Sequence, residues 1–329
     1  MTAPGVAVIG CGLIGGKRVA ALPPSVSLVS VYDPDAERAA DLARRAGGCD
    51  VASSAAAAFD RPDVELVIVA TPHRALAPMA CAALDAGCHV LVEKPGAIDV
   101  SGAREIAARA EANGRVANVG FNHRFHPSFL EAKRIVERGE YGRTMFVRAR
   151  YGHGGRLGYE REWRAHREIS GGGELIDQGI HLIDLTRFLA GNVTLAFSDL
   201  RTSFWEMAVE DNAFLALRTD DDALAWLHAS WTEWKNLFSF EVMLERAKID
   251  ISGLGGSYGP ETLTRFEMLP EMGPPLVHRQ TWDQSDDSWR LELEAWLQAI
   301  TGGSSFGASI GDAVAALDIV DAAYRGDPS

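Results

Sequence analysis

Two hydrophobic periods alternate along residues 5–121 of this chain. Short, nearly continuous apolar runs ("GVAVIG", "SLVSVYD", "VELVIVAT", "CHVLVEKP" and "RVANVGF") have the character of strands buried on both faces of a parallel sheet. Between them lie alanine-rich segments of helical character, at 35–46, 74–86 and 101–113. The pairs "GG" at 47–48 and "AG" at 86–87 read as helix stops. Strand alternating with helix predicts right-handed βαβ units and a doubly wound sheet.

The pattern changes after residue 122. A helix over "PSFLEAKRIVERG" leads to the strand "TMFVRARYGHGG", which ends in a glycine-rich loop, and then to one helix over "GGGELIDQGIHLIDLTRFLAG". From 194 to about 268 strands follow one another without helices, among them "NAFLALRT", "ALAWLHASW" and "FSFEVMLERAKIDISG". Their short turns, "TDDDA" and "TEWKN", imply a large, mostly antiparallel open sheet. Helical segments at 285–301 and 310–325 close the chain. The expected fold class is α/β: a doubly wound domain over 1–122, then a second α/β domain over 123–329 whose last helix is free to pack back on the first.

Composition narrows the partners. At 47% hydrophobic and 23% charged, the 329 residues can bury a sizeable core, and the net charge of −13 argues against nucleic acid or an anionic membrane. An anionic ligand is still accommodated if a helix N-terminus receives it. The cysteines, Cys11, Cys49, Cys81 and Cys88, form no CxxC pair and fall in or beside apolar runs, as reduced thiols of a cytoplasmic protein do. Lys17 and Arg18 follow the first apolar run instead of preceding it, the reverse of a secretory signal, and no apolar run reaches membrane-spanning length. A soluble, cytoplasmic protein is expected.

Three glycines at 10, 12 and 15 sit where the first strand gives way to a helix, in "VAVIGCGLIGGKRVAAL". A tight turn alone would explain them. A dinucleotide site explains each: Gly10 makes the turn, Gly12 admits a pyrophosphate, and Gly15 lets the helix pack closely, with Leu13 and Ile14 between. Asp33, at the end of "SLVSVYD" and 18 residues after Gly15, supplies the carboxylate that holds ribose hydroxyls; otherwise it merely starts a turn before Pro34. A carboxylate there repels a 2′-phosphate and so favours NAD over NADP. "ATPH" (70–73) and "VEKP" (92–95) also end strands, where ligands of open sheets bind, so Thr71 and Pro72 are candidates for a floor beside the nicotinamide. Lys94, flanked by Glu93 and Pro95, is an ammonium in the same position, either solvated or directed at a substrate hydroxyl.

In the segment "GGGELIDQGIHLID", Asp177, His181 and Asp184 stand at i, i+4 and i+7, on one face of a helix. His181 suits a general base and Asp177 can orient it or grip a second hydroxyl, while Asp184 reads as a structural partner. A satisfied core histidine is the alternative. A metal site lacks a third ligand. Asn122 and Arg124 follow the last strand of the first sheet. Tyr151, His153, Arg156, Tyr159 and Trp163 offer hydrogen bonds and stacking to a polyhydroxylated ligand. Trp205, Trp226, Trp231 and Trp234 read as sheet core or subunit interface.

Together "GCGLIG", "YDPD", "ATPH", "HVLVEKP", "VGFNHRF", "GGGELIDQGIHLID", "VEDNAFLAL" and "DAVAALDIVDAAYRG" resemble the Gfo/Idh/MocA oxidoreductases, over nearly the whole chain. The resemblance implies a Rossmann domain, a C-terminal domain on a large open sheet, and a homodimer or homotetramer formed through that sheet. It implies hydride transfer between NAD and a hydroxyl-bearing carbon of a sugar, sugar nucleotide or cyclitol. Lys94, Asp177 and His181 match the family's catalytic lysine, aspartate and histidine. Cofactor contacts are expected at Gly10, Gly12, Leu13, Ile14, Gly15, Asp33, Thr71, Pro72, Glu93, Lys94 and Asn122. Substrate contacts are expected at Lys94, Arg124, Tyr151, His153, Trp163, Asp177 and His181. Leu76 stands where members often carry a histidine. Two rival functions share the motifs: a glycosidase using transient oxidation by NAD, and a non-catalytic NAD- or sugar-binding regulator.

Overall fold

The computed structural model describes residues 3–283, 285–303 and 306–326. They form two compact units, the first falling within 3–122, 168–171 and 287–317 and the second within 123–167, 172–286 and 318–326.

In the first unit, strands β1 (Gly5–Ile9), β2 (Ser27–Tyr32), β3 (Asp50–Val51), β4 (Leu66–Val69), β5 (His89–Glu93) and β6 (Ala117–Gly120) form one sheet in the order β3-β2-β1-β4-β5-β6. Every pairing is parallel. The five apolar runs appear as β1, β2, β4, β5 and β6, and β1 and β4 are buried at every position. β3 was not expected: its two residues are both exposed, so no apolar run marks it. The helices Ala36–Arg45 and Val100–Ala112 start on Asp35 and Asp99, whose side chains accept the amides of Arg38 and Gly102. Leu293 and Trp296, on the helix Ser288–Ile300, complete a core with Val6, Val8, Val31, Ile68 and Leu91.

The second unit holds an eight-stranded sheet. Its strands are β7 (Thr144–Gly152), β8 (Val193–Arg201), β9 (Asn212–Thr219), β10 (Leu224–Ser230), β11 (Leu237–Leu244), β12 (Ala247–Ser252), β13 (Glu261–Glu267) and β14 (Leu276–Trp282). Their order is β14-β13-β12-β11-β7-β10-β9-β8, antiparallel except for the parallel pair β7 and β10. The run "FSFEVMLERAKIDISG" divides at Glu245–Arg246 into β11 and β12, a hairpin. β14 lies beyond the expected stretch and is exposed along nearly its whole length, so it carries no alternation to read.

One regular helix was expected over 171–191. Instead Leu175–Gly179 is a π-helical turn, and the α-helix runs from Ile180 to Ala190. The three glycines before it have a packing cause. A side chain at Gly173 would overlap the Glu210 carbonyl oxygen, and one at Gly172 the Tyr324 hydroxyl. Trp205 and Trp231 are buried with Tyr159 and Val209, whereas Trp226 and Trp234 are exposed. No helix of the described residues is long and apolar enough to cross a membrane.

Candidate active site

On the first unit the glycine turn has the shape of a dinucleotide cradle. Gly10 has φ +99°, and a side chain there would overlap the Ala70 carbonyl; one at Gly15 would overlap the Gly10 carbonyl oxygen. Gly12 differs. A Cβ on it meets nothing within 4 Å. Gly12 is also the N-cap of the helix Leu13–Ala20 and supplies no side-chain cap to its first amides. Leu13 is 79% exposed beside it.

Asp33 lies where β2 ends. Its Oδ2 accepts the Cys11 amide at 2.8 Å and its Oδ1 the Asp35 amide at 2.9 Å, which fixes the carboxylate beside the glycine turn. A carboxylate offers about four acceptor positions, so room remains for ribose hydroxyls. Arg38 Nη1 is 3.4 Å from Oδ1. After β4 the Thr71 hydroxyl is buried, and among the described residues it has no hydrogen-bond partner. An open space over Gly12, an anchored carboxylate and an unspent hydroxyl in one unit fit NAD.

Two expected cofactor residues are engaged within the protein. Glu93 Oε1 accepts Arg18 Nε at 2.6 Å, and Arg18, fully buried, also reaches Glu292 at 2.5 Å. The guanidinium further lies over the Trp289 ring. Glu93 thus anchors the backbone that carries half-buried Lys94. Asn122 donates to the Ser288 hydroxyl at 2.9 Å. Pro72 is exposed and caps the helix His73–Asp85, on which Leu76 is buried. His73 Nδ1 sits 2.7 Å from the Ser170 carbonyl oxygen, a backbone tether.

On the second unit Asp177 and His181 are both buried, Asp177 on the π-helical turn and His181 one residue into the α-helix. Wide turns of this kind recur at functional sites. Asp177 Oδ2 accepts Arg164 Nε at 3.0 Å, and that carboxylate holds the Arg164 guanidinium above its usual range. Arg164 also stacks over Trp163, 4.5 Å from its ring centroid. Arg124, expected at the substrate, clasps Asp184 through Nε (2.9 Å to Oδ2) and Nη2, both residues being buried. This pair ties the turn after residue 122 to the helix Ile180–Ala190.

Tyr151, at the end of β7, points its hydroxyl at His123 Nε2, 3.1 Å away. Burial pushes its pKa well above the usual tyrosine value, as does the neighbouring Tyr258. His153 Nδ1 accepts the Gly155 amide at 2.9 Å, and Tyr159 meets the His153 ring edge to face. Sequence reading missed Arg18, Arg164 and His123. The first entered only as a cation after the first apolar run, and neither Arg164 nor His123 was singled out.

The fold order, the open glycine turn and the carboxylate at the end of β2 define an NAD-binding oxidoreductase. The chain belongs to the Gfo/Idh/MocA family: residues 5–121 match the oxidoreductase family's NAD-binding Rossmann fold, and 129–250 the GFO/IDH/MocA C-terminal domain. Inositol 2-dehydrogenase 2 of Saccharopolyspora erythraea is 30% identical over 325 residues, 96% of this chain and 91% of its own. D-glucoside 3-dehydrogenase of Escherichia coli is 27% identical, over 90% of this chain and 88% of its own. A levoglucosan dehydrogenase solved in complex with NADH shares the fold, with a TM-score of 0.88 at 23% identity over 98% of this chain and 97% of its own.

Proposed function

We propose that the protein is an NAD-dependent dehydrogenase, or in reverse a ketoreductase, acting on a secondary hydroxyl of a sugar, sugar nucleotide or cyclitol. The observation that carries this reading is the Asp177–His181 pair: a buried imidazole one turn after a carboxylate that Arg164 already orients. A binder without catalysis has no use for a proton acceptor so placed. The named activities of the relatives from Saccharopolyspora erythraea and Escherichia coli support the substrate class.

The roles divide as follows. Gly10, Gly12, Leu13, Ile14 and Gly15 receive the pyrophosphate, Asp33 the ribose, and Thr71 and Pro72 flank the nicotinamide. NAD supplies the hydride acceptor. His181 takes the hydroxyl proton, Asp177 orients the alcohol through a neighbouring hydroxyl, and Lys94 polarises the developing carbonyl. Glu93 and Asn122 support this set through Arg18 and Ser288. Tyr151, His153 and Trp163 shape the substrate side. We further propose a cytoplasmic homodimer or homotetramer formed through the large sheet, on which Trp226 stacks with Phe197 at 6.2 Å while both are exposed.

A panel of inositols, anhydrosugars, glucosides and nucleotide sugars, followed at the NADH absorbance band, tests the reaction. Net NADH formation with one class, lowered roughly 10²–10⁴-fold in His181→Ala with NADH affinity kept within a few-fold, is the expected result. Bond cleavage without net NADH would point to the glycosidase instead. Full hydride transfer in a folded His181→Ala would remove His181 from the chemistry.

A further inference from the structure

The imidazoles of His123 and His181 are stacked face to face, with ring centroids 3.9 Å apart and planes 17° from parallel. Both are buried. His123 is itself held on several sides: by the Tyr151 hydroxyl at Nε2, by the edge of His126 at 5.5 Å and by the edge of Phe238 at 6.3 Å. Tyr151 is braced in turn against Phe238 and Tyr258. A ring so enclosed cannot swing away, and it presents a flat face to the imidazole proposed as the base.

We propose that His123 is a positioning residue for the reaction: held by Tyr151, His126 and Phe238, it is the plate that aligns the His181 ring. The proposal rests on the assignment of His181 as the base.

Ion pairs and one further carboxyl lie on the neighbouring residues. His126 lies 2.9 Å from Glu261, a carboxylate that its hydrogen bonds hold below the usual range despite burial. Arg124 faces Asp184, and Arg164 faces Asp177. Glu174, buried on the same turn as Asp177, adds a further carboxyl. Tyr151 ties the His123 ring into this packing: its hydroxyl lies 3.1 Å from Nε2 and is hydrogen-bonded to Tyr258 as well.

The test uses the full-length enzyme, NADH and whichever substrate the panel identifies. Variants His123→Ala, His123→Phe, Tyr151→Phe and His181→Ala are compared for kcat, KM, pH profile, NADH affinity and unfolding midpoint. His123→Ala is expected to lower kcat roughly tenfold or more while NADH affinity stays within about twofold, because only the alignment is lost. His123→Phe restores the flat face and should return kcat to within about threefold of wild type. Tyr151→Phe removes one of the groups that hold the His123 ring and should lower kcat by less than His123→Ala does. If His123→Ala destabilises the fold, His123→Phe alone decides. Wild-type kcat and profile in His123→Ala beside a dead His181→Ala would overturn the positioning role and spare the base. Equal losses in His123→Ala and His123→Phe at equal stability would overturn it too. An active His181→Ala would overturn both.

Discussion

Alanine substitution along the glycine turn separates a packing requirement from a cofactor requirement, because the three positions differ in what a methyl group meets. At Gly15 it overlaps the Gly10 carbonyl oxygen, and the helix must move off the strand. Overpacking against backbone costs about 1–3 kcal/mol or more. At Gly10 the same methyl falls 2.6 Å from the Ala70 carbonyl carbon, at a φ of +99° that adds its own strain. The two terms together come to roughly 2–6 kcal/mol.

At Gly12 the methyl meets nothing within 4 Å, and φ is −71°. The poorer N-cap is offset by reduced chain entropy in the unfolded state, so stability should hold within about 1 kcal/mol. The methyl does occupy the approach to the helix amides. Losing one or two charge-assisted hydrogen bonds to a pyrophosphate costs about 1.5–3 kcal/mol, a roughly 10- to 150-fold weaker Kd. Urea unfolding and NADH fluorescence titration on each variant read the two effects separately. A Gly12→Ala protein that binds NADH as wild type does would refute the cradle, whatever Gly10→Ala and Gly15→Ala do to stability.

Three further outcomes follow from buried or anchored charges. Arg18→Met leaves Glu93 and Glu292 buried without their shared cation, which should cost about 3–5 kcal/mol; a loss below about 1 kcal/mol in urea titration would contradict this. The wild type should bind NADH at least tenfold (about 1.4 kcal/mol) more tightly than NADPH, and Asp33→Ser should narrow the gap because Arg38 remains to meet a 2′-phosphate, both readable by fluorescence titration. Burial pushes Asp211 up, but the amides of Ser203, Trp205 and Phe204 outweigh it and hold the carboxyl below its usual range. Its stabilisation is therefore complete above the unfolded-state value near 3.9 and lost as pH falls through the lower folded value; Asp211→Asn should be destabilised at neutral pH, with the deficit closing in acid melts.

What the sequence determined by itself was whatever repeats locally or spans one turn. Continuous apolar runs broken by helices sufficed for the parallel sheet, since strands buried on both faces need no alternation. The glycine turn, Asp33 and the Asp177–His181 spacing were legible for the same reason: each depends on neighbours a few residues away or on where a strand ends. Segments without a buried face left no pattern, and so β3 and β14 escaped. The tertiary structure alone decided which charges pair with which. Arg18 meets Glu93 across 75 residues and Glu292 across 274, turning an apparent surface cation into the anchor beneath Lys94. It likewise gave Arg124 to Asp184 across 60 residues, and set His123 against His181. A charge or a ring acquires its role from the partner that folding brings to it, and no period along the chain encodes a contact made between distant turns.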